Sequence, residues 1–245
     1  MKIQYISDLH LERKVNRVFF KKNPIQAHAD YLFLLGDIIP IKDVDQITFL
    51  LDHISQVFKK VFWLPGNHEF YGSDYNQYIS CNKQIRENIF LVNNQSIILG
   101  LKEVIFSTLW SNLDLNKRWS LQYHINDFKH ILYNSDHINA LDYNNFHLSA
   151  LEFIKSRLAD TTIKNKIIVT HHCPILLPIL IDDALISAYC SALEDLIQMH
   201  QPDIWLYGHT HTSNDAIMIN QTKLLTNQFL FGENNKIDLI SWNDL

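Results

Sequence analysis

Five short stretches of the chain place an oxygen or imidazole donor directly after an apolar run: "ISDLH" at 6–10, "LLGDII" at 34–39, "LPGNHEF" at 64–70, "IVTHHCP" at 168–174 and "LYGHTH" at 206–211. Together they supply Asp8, His10, Asp37, Asn67, His171, His209 and His211, with no thiolate among them. Such a donor set suits Mn²⁺, Fe or Zn²⁺. Seven side chains exceed what one tetrahedral ion takes but fit two ions that share a bridging carboxylate, for which Asp37 is the natural choice. Two divalent ions bring four positive charges, of which Asp8, Asp37 and a bridging hydroxide remove three. Roughly one net positive charge is left, a trap for an anionic group such as phosphate. The hydroxide would be the nucleophile, because coordination lowers the pKa of water from about 15.7 towards about 7.

Any one of these histidines alone is more often a surface or core residue than a ligand. Recurrence changes the reading: Gly36, Gly66 and Gly208 each precede a proposed ligand, where a tight exit from a strand calls for positive φ or close backbone approach.

The elements that must position these groups are short. Apolar runs at 3–6, 31–35, 61–64, 167–170 and 204–207 have strand length and are rich in Ile, Val, Phe, Trp and Tyr. Helical periodicity separates them, with Ile47, Leu50, Leu51, Ile54, Val57 and Phe58 on one face of 43–58. Leu148, Leu151, Ile154 and Leu158 do the same in 145–160, and 186–199 repeats the pattern less cleanly. This alternation predicts an α/β fold, in whose sheets ligands bind outside the carboxyl ends of strands, so the five endings are expected at one sheet edge. Residues 89–110 instead read as successive strands with turns near Asn93-Asn94 and Gly100, and 216–231 as a hairpin around Asn220 to Lys223. The sheet system is therefore expected to be mixed.

A chain of 245 residues, 47% hydrophobic and 19% charged, predicts one domain over 1–245 with a loop-rich variable segment around 110–145. A net charge of −5 gives no strong case for polymeric nucleic acid as partner. The run Arg13, Lys14, Arg17, Lys21 and Lys22 reads either as a solvated loop or as a phosphate-attracting lip. Cys81, Cys173 and Cys190 suggest neither a disulfide framework nor a Cys-based zinc site. With no signal-peptide pattern and no apolar run near the roughly 18 residues of a membrane span, a cytoplasmic protein without membrane association is expected.

Taken in order, Asp-x-His, Gly-Asp, Gly-Asn-His-Glu, His and Gly-His-x-His make the chain resemble the calcineurin-like metallophosphoesterases over residues 8–211. The resemblance implies a four-layer α/β/β/α sandwich of two mixed β-sheets flanked by helices. It implies two divalent ions, Mn²⁺ first with Fe or Zn²⁺ as alternatives, one on Asp8, His10, Asp37 and His211 and the other on Asp37, Asn67, His171 and His209. His68 is then not a ligand but a general acid towards the ester oxygen, which makes His68 and Asp37 the catalytic residues. Of the adjacent His171 and His172 only one can point inward from an extended segment, and His171 is favoured. Glu69 is expected to hold the loop or a ligand in place. Members that act on phosphoproteins continue the second block as Gly-Asp-x-x-Asp-Arg, the later Asp orienting the catalytic histidine and the Arg clamping phosphate. Here Pro40 and Ile41 stand in those places, so a protein serine/threonine phosphatase is disfavoured, and what orients His68 is open, with Asp43 or Asp45 as substitutes.

Residues 110–130 concentrate Trp110, Trp119, Tyr123, His124, Asp127 and His130. Rings there would stack on a substrate base or phenyl group, or else form a satellite cluster beneath a long loop. Trp110, His124 and Asn126 are the candidate substrate contacts. The expected function is dinuclear metal-dependent hydrolysis of a small phosphorylated substrate, nucleotides included. The alternatives are a phosphodiesterase or nuclease on cyclic or short nucleotides and a non-catalytic scaffold of the same fold, against which the complete donor set argues.

Overall fold

A computed structural model describes residues 2–177, 185–212, 214–229 and 238–241. The strands are β1 (Lys2–Ile6), β2 (Tyr31–Leu34), β3 (Lys60–Trp63), β4 (Cys81–Arg86), β5 (Ile89–Asn93), β6 (Gln95–Leu99), β7 (Lys102–Ser107), β8 (Leu132–Tyr133), β9 (Asp136–His137), β10 (Lys166–Thr170), β11 (Ile204–Tyr207), β12 (Ile217–Ile219), β13 (Thr222–Thr226) and β14 (Asp238–Ser241). The helices are α1 (Lys14–Lys22), α2 (Thr48–Val57), α3 (Arg118–His124), α4 (Asp127–His130), α5 (Ala140–Ala159), α6 (Ile186–Tyr189) and α7 (Glu194–His200).

Two sheets result, in the orders β14-β1-β2-β3-β5-β4 and β12-β13-β11-β10-β7-β6. In each, four parallel central strands are flanked by one antiparallel strand on either edge. Period-two alternation along the strands builds the layers. Phe33 and Leu35 turn inward to meet Phe106, Ile167 and Leu206 of the other sheet. Leu32 and Leu34 turn outward under Leu50, Leu51 and Ile54 of α2. On the far side, Ile168 and Trp205 lie under Ile154 and Leu158 of α5 and Ile197 of α7. The arrangement is a four-layer sandwich of two mixed sheets with helices on the outer faces. Each fully buried aliphatic or aromatic side chain in these layers contributes about 1.5–3 kcal/mol relative to exposure.

Several elements differ from the sequence expectation. Helix α5 begins at Ala140, where Asn139 and Asp142 form a reciprocal capping box. Its buried face carries Tyr143, Phe146, His147, Ala150, Ile154 and Leu158, and Leu148 is exposed. Counting only aliphatic residues gave the stripe the wrong phase, because a tyrosine, a phenylalanine and a histidine occupy the inner face. Val57 likewise faces out at the end of α2, and 186–199 splits into α6 and α7. The Asn94 turn, at φ +48°, carries the chain from β5 in one sheet to β6 in the other instead of closing a hairpin. Hairpins do form at Gly100, between β6 and β7, and at Asn220, between β12 and β13. The segment around 110–145, expected to be loop-rich and variable, holds α3, α4 and a two-strand ladder of β8 and β9.

The five polar endings do not share one sheet. Those of β1, β2 and β3 belong to the first, those of β10 and β11 to the second, and face-to-face packing brings the carboxyl ends of both sheets together. Backbone bonds level the loops: His10 N–H donates to Asp37 O at 2.9 Å and Gly208 N–H to His171 O at 2.9 Å. Across the sheets, His171 Nδ1–H donates to Leu35 O at 2.8 Å.

Glu69 is the tie between the ends of β2 and β3. Its fully buried carboxylate accepts from Asp37 N (2.9 Å), Ile38 N (2.8 Å), Gly66 N (2.7 Å) and Trp63 Nε1 (2.9 Å). Glu69→Ala would leave four buried donors without an acceptor, each at a penalty of about 1–3 kcal/mol before relaxation. We expect urea unfolding to show a loss of roughly 3–5 kcal/mol. A loss below about 1 kcal/mol would mean that the two strand ends are held by something else.

Candidate metal centre

Asp8, His10, Asp37, His209 and His211 all have left-handed backbone, with φ of 59°, 44°, 56°, 69° and 51°. For residues with a Cβ each such conformation costs on the order of 1 kcal/mol and persists only where the surroundings impose it, typically at functional sites. Gly36, at φ +93°, meets the positive-φ expectation. Gly66 and Gly208 serve close approach instead: a Cβ on Gly208 would lie 2.9 Å from Asp8 Oδ2, and one on Gly66 would run into the Asp37 carboxylate.

The side chains converge. Ligand atoms of Asp8, His10, Asp37 and His211 all lie within 4.8 Å of one another, as do those of Asp37, His171 and His209. Asp37 belongs to both groups, Oδ1 lying 3.3 Å from His171 Nε2 and Oδ2 3.7 Å from His10 Nε2. His10 Nε2 is 3.2 Å from His211 Nε2, and His171 Nε2 is 3.1 Å from Asn67 Oδ1.

Three of the rings have one nitrogen engaged away from the cluster, and this decides what they can do. His171 Nδ1–H donates to Leu35 O, His10 Nδ1–H to Glu12 Oε1 at 2.9 Å, and His209 Nε2–H to Ala188 O at 3.2 Å. In neutral rings the lone pairs of His171 Nε2, His10 Nε2 and His209 Nδ1 are then left facing inward. Asn67 is set the same way, because its Nδ2 donates to Asp127 Oδ1 at 2.7 Å and its Oδ1 faces His171. Asp8 Oδ1 and His209 Nδ1 are buried with no hydrogen-bond partner. Acceptors aimed at one another about 3 Å apart repel unless a cation lies among them, and such spacings match ligand pairs on an ion with bonds of about 2.1 Å. The residues therefore fit a pair of divalent ions. Where no ion is bound, burial disfavours a charged His171, yet the Asp37 carboxylate outweighs it and pushes the pKa up to about 10, so a proton on Nε2 occupies the place of a cation and must leave when an ion binds.

His68 lies beside this cluster, with Nε2 3.9 Å from Asp37 Oδ2 and Nδ1 3.0 Å from Glu12 Oε1. Burial lowers its pKa, but Asp37 and Glu12 overcome this and raise it to about 9. Glu12 is penalised by burial too, yet its two imidazole partners bring it down to about 2. The Tyr71 ring stacks on His68 with centroids 4.3 Å apart, and its hydroxyl donates to Asp127 Oδ1 at 2.7 Å. A recess of about 170 Å³ opens over these groups, with Tyr71, Ile125, Leu185 and Tyr189 among its walls.

His124 and Asn126 line that recess, whereas Trp110 does not. Trp110 is fully buried and donates from Nε1 to Tyr75 Oη at 3.0 Å among Phe70, Tyr143 and Phe146, so its reading as a substrate contact is corrected to core packing. His172 points away from the cluster, its Nε2 3.0 Å from Tyr143 Oη. Asp43 accepts from Gln46 Nε2 at 3.1 Å, and the carboxylate beside His68 is that of Glu12. Of the basic run, Arg17 donates to Glu12 O at 3.0 Å, and no member lines the recess. Glu12 and Asp127 were missed from sequence. The signal for Glu12 is a carboxylate two residues after His10; Asp127, which is buried, has only its place in the aromatic-rich stretch 110–130.

The calcineurin-like phosphoesterase family model matches residues 1–213. Uncharacterized protein L509 of Acanthamoeba polyphaga mimivirus is 32% identical over 277 residues, spanning 99% of this chain and 96% of its own. The [acyl-carrier-protein] phosphodiesterase PptH of Mycobacterium tuberculosis is 35% identical over 66 residues, 27% of this chain and 20% of its own. The crystal structure of phosphopantetheinyl hydrolase PptH from Mycobacterium tuberculosis is similar with a TM-score of 0.69 at 13% identity, covering 98% of this chain and 95% of that one, a likeness of fold. With the family model matched over most of the chain and the donors converging, the chain belongs to the calcineurin-like phosphoesterases and is a metal-dependent phosphoesterase.

Proposed function

We propose that the protein hydrolyses a small phosphoester over two divalent ions, one held by Asp8, His10, Asp37 and His211 and the other by Asp37, Asn67, His171 and His209. The observation that carries this reading is the set of inward-facing lone pairs, each fixed by a hydrogen bond on the far side of its ring or amide. When bound, the ions polarise the phosphoryl oxygens and acidify a water enough to make it a nucleophile near neutral pH. Oxygen and imidazole donors without thiolate favour Mn²⁺, with Fe or Zn²⁺ as alternatives. Asp37, common to both groups, would be shared by the two ions. His68, whose Nε2 faces the cluster, delivers a proton to the departing ester oxygen. His124 and Asn126, on the wall of the recess, contact the phosphate or the group it carries.

A second reading, a phosphodiester substrate, has specific support. Among the described residues no lysine or arginine lines the recess, so a monoester dianion would gain no side-chain cation beyond the histidines. A diester carries a single negative charge and needs none. A similar protein is named as a phosphodiesterase, which points the same way. The recess holds about 170 Å³, which favours small substrates, cyclic or short nucleotides among them, over polymers. No helix among the described residues is long and apolar enough to cross a membrane.

Hydrolysis of a nitrophenyl phosphate monoester and the matching diester, with Mn²⁺ and with chelator, tests the reading. Metal-dependent turnover that falls about a hundredfold or more in His68→Ala is expected, and diester preference would select the second form. Turnover indifferent to chelation would overturn both. Asp37→Asn is expected to fold normally, lose one of its ions and turn over orders of magnitude more slowly; near wild-type rates in a metal-replete mutant would remove Asp37 from its bridging place. Asp127→Ala frees the Asn67 amide to rotate, so calorimetric Mn²⁺ titration should show one of two sites weakened about 10–100-fold and the other little changed. Two unaltered sites would mean that Asn67 needs no such support.

A further inference from the structure

Pro40 and Ile41 follow the Asp37 loop, so that stretch brings His68 no second carboxylate. The structure supplies another carboxylate. Resting on the phosphoesterase reading above, we propose that Glu12 is the positioning residue of His68, and that through one shared oxygen it sets the proton arrangement of both His68 and the metal-facing His10.

The geometry is specific. Glu12 Oε1 lies 3.0 Å from His68 Nδ1 and 2.9 Å from His10 Nδ1. The two rings stand edge to face, centroids 4.5 Å apart. An ionised carboxylate only accepts, so both Nδ1 atoms must carry hydrogen. For His10 that leaves the Nε2 lone pair directed at Asp37 and His211. For His68 it leaves Nε2, the atom that faces the cluster, as the nitrogen that takes up and gives back a proton. One acceptor thus turns Nε2 of two neighbouring imidazoles inward, one to hold an ion and the other to exchange a proton.

Glu12 is itself held in place. The turn that carries it is fastened to the Asp37 loop by Leu11 N–H donating to Ile38 O at 2.8 Å and His10 N–H donating to Asp37 O at 2.9 Å. Arg17, one helical turn into α1, donates to the carbonyls of Leu11 and Glu12. The Tyr71 ring stacks on the His68 ring. The ring is therefore gripped between a stacked phenol and a carboxylate, and only the carboxylate can tell Nδ1 from Nε2.

The test combines kinetics with a readout that needs no turnover. At saturating Mn²⁺, with two ions per chain verified by elemental analysis, Glu12→Ala and Glu12→Gln are compared with His68→Ala on methyl phosphate diesters whose leaving groups run from dinitrophenol to phenol. Glu12→Ala is expected to lose about 10–100-fold in kcat on the phenol ester. The loss should shrink to a few-fold on the dinitrophenol ester, which leaves without a proton, and Glu12→Gln should recover part of it. Added to His68→Ala, Glu12→Ala should lower kcat little further. In crystals of metal-free Glu12→Ala the His68 ring should turn or disperse. A loss equal across leaving groups and multiplicative with His68→Ala, or a His68 ring unmoved in the Glu12→Ala crystal, overturns the proposal. Wild-type protein with no metal-dependent hydrolysis of any ester would count against the phosphoesterase reading instead, and the ring position would still decide the role of Glu12.

Discussion

Asp37 is a carboxylate buried where two sheets end, and the rest of the site is arranged to make that tolerable. An isolated ionised carboxylate out of water is strongly disfavoured, so it must be paired or must bind a cation. Histidine nitrogens from three separate loops lie within 4 Å of its two oxygens, and the backbone N–H of His68 donates to Oδ1 at 3.0 Å. Its own peptide N–H is anchored on Glu69. Left-handed backbone at Asp37 and at four of its neighbours is the local strain that this convergence requires, balanced by the packed sheets beneath.

The division of labour within each side chain follows from the same constraint. A ring or amide that offers a lone pair inward must dispose of its hydrogen outward, and the outward partners come from elsewhere in the fold: Leu35 O from the first sheet, Ala188 O from α6, Glu12 from the turn before α1 and Asp127 from the variable segment. Those partners fix tautomer and orientation, the usual role of groups behind metal ligands. The variable segment therefore does more than cover the recess, since Asp127 reaches both Asn67 and Tyr71.

This explains what could be read from sequence. The converging donors were legible because each lies within four residues of a strand's carboxyl end, so strand signal and donor type reinforce one another locally. The two-sheet sandwich followed from the family resemblance, not from the alternation alone, which placed all five endings on one sheet. Glu12 and Asp127 act on partners 56 and 60 residues away, and no local pattern announces such a pairing. Trp110 misled for a physical reason: at φ 52° the chain turns its indole into the cluster of Phe70, Tyr75 and Phe146, although its neighbours in sequence look like an exposed aromatic loop.

The most direct test of the central claim is anomalous scattering from crystals grown with Mn²⁺. Two peaks per chain are expected on either side of the Asp37 carboxylate, one bounded by Asp8, His10 and His211 and the other by Asn67, His171 and His209. A single peak, or two peaks with Asp37 contacting only one of them, would contradict it.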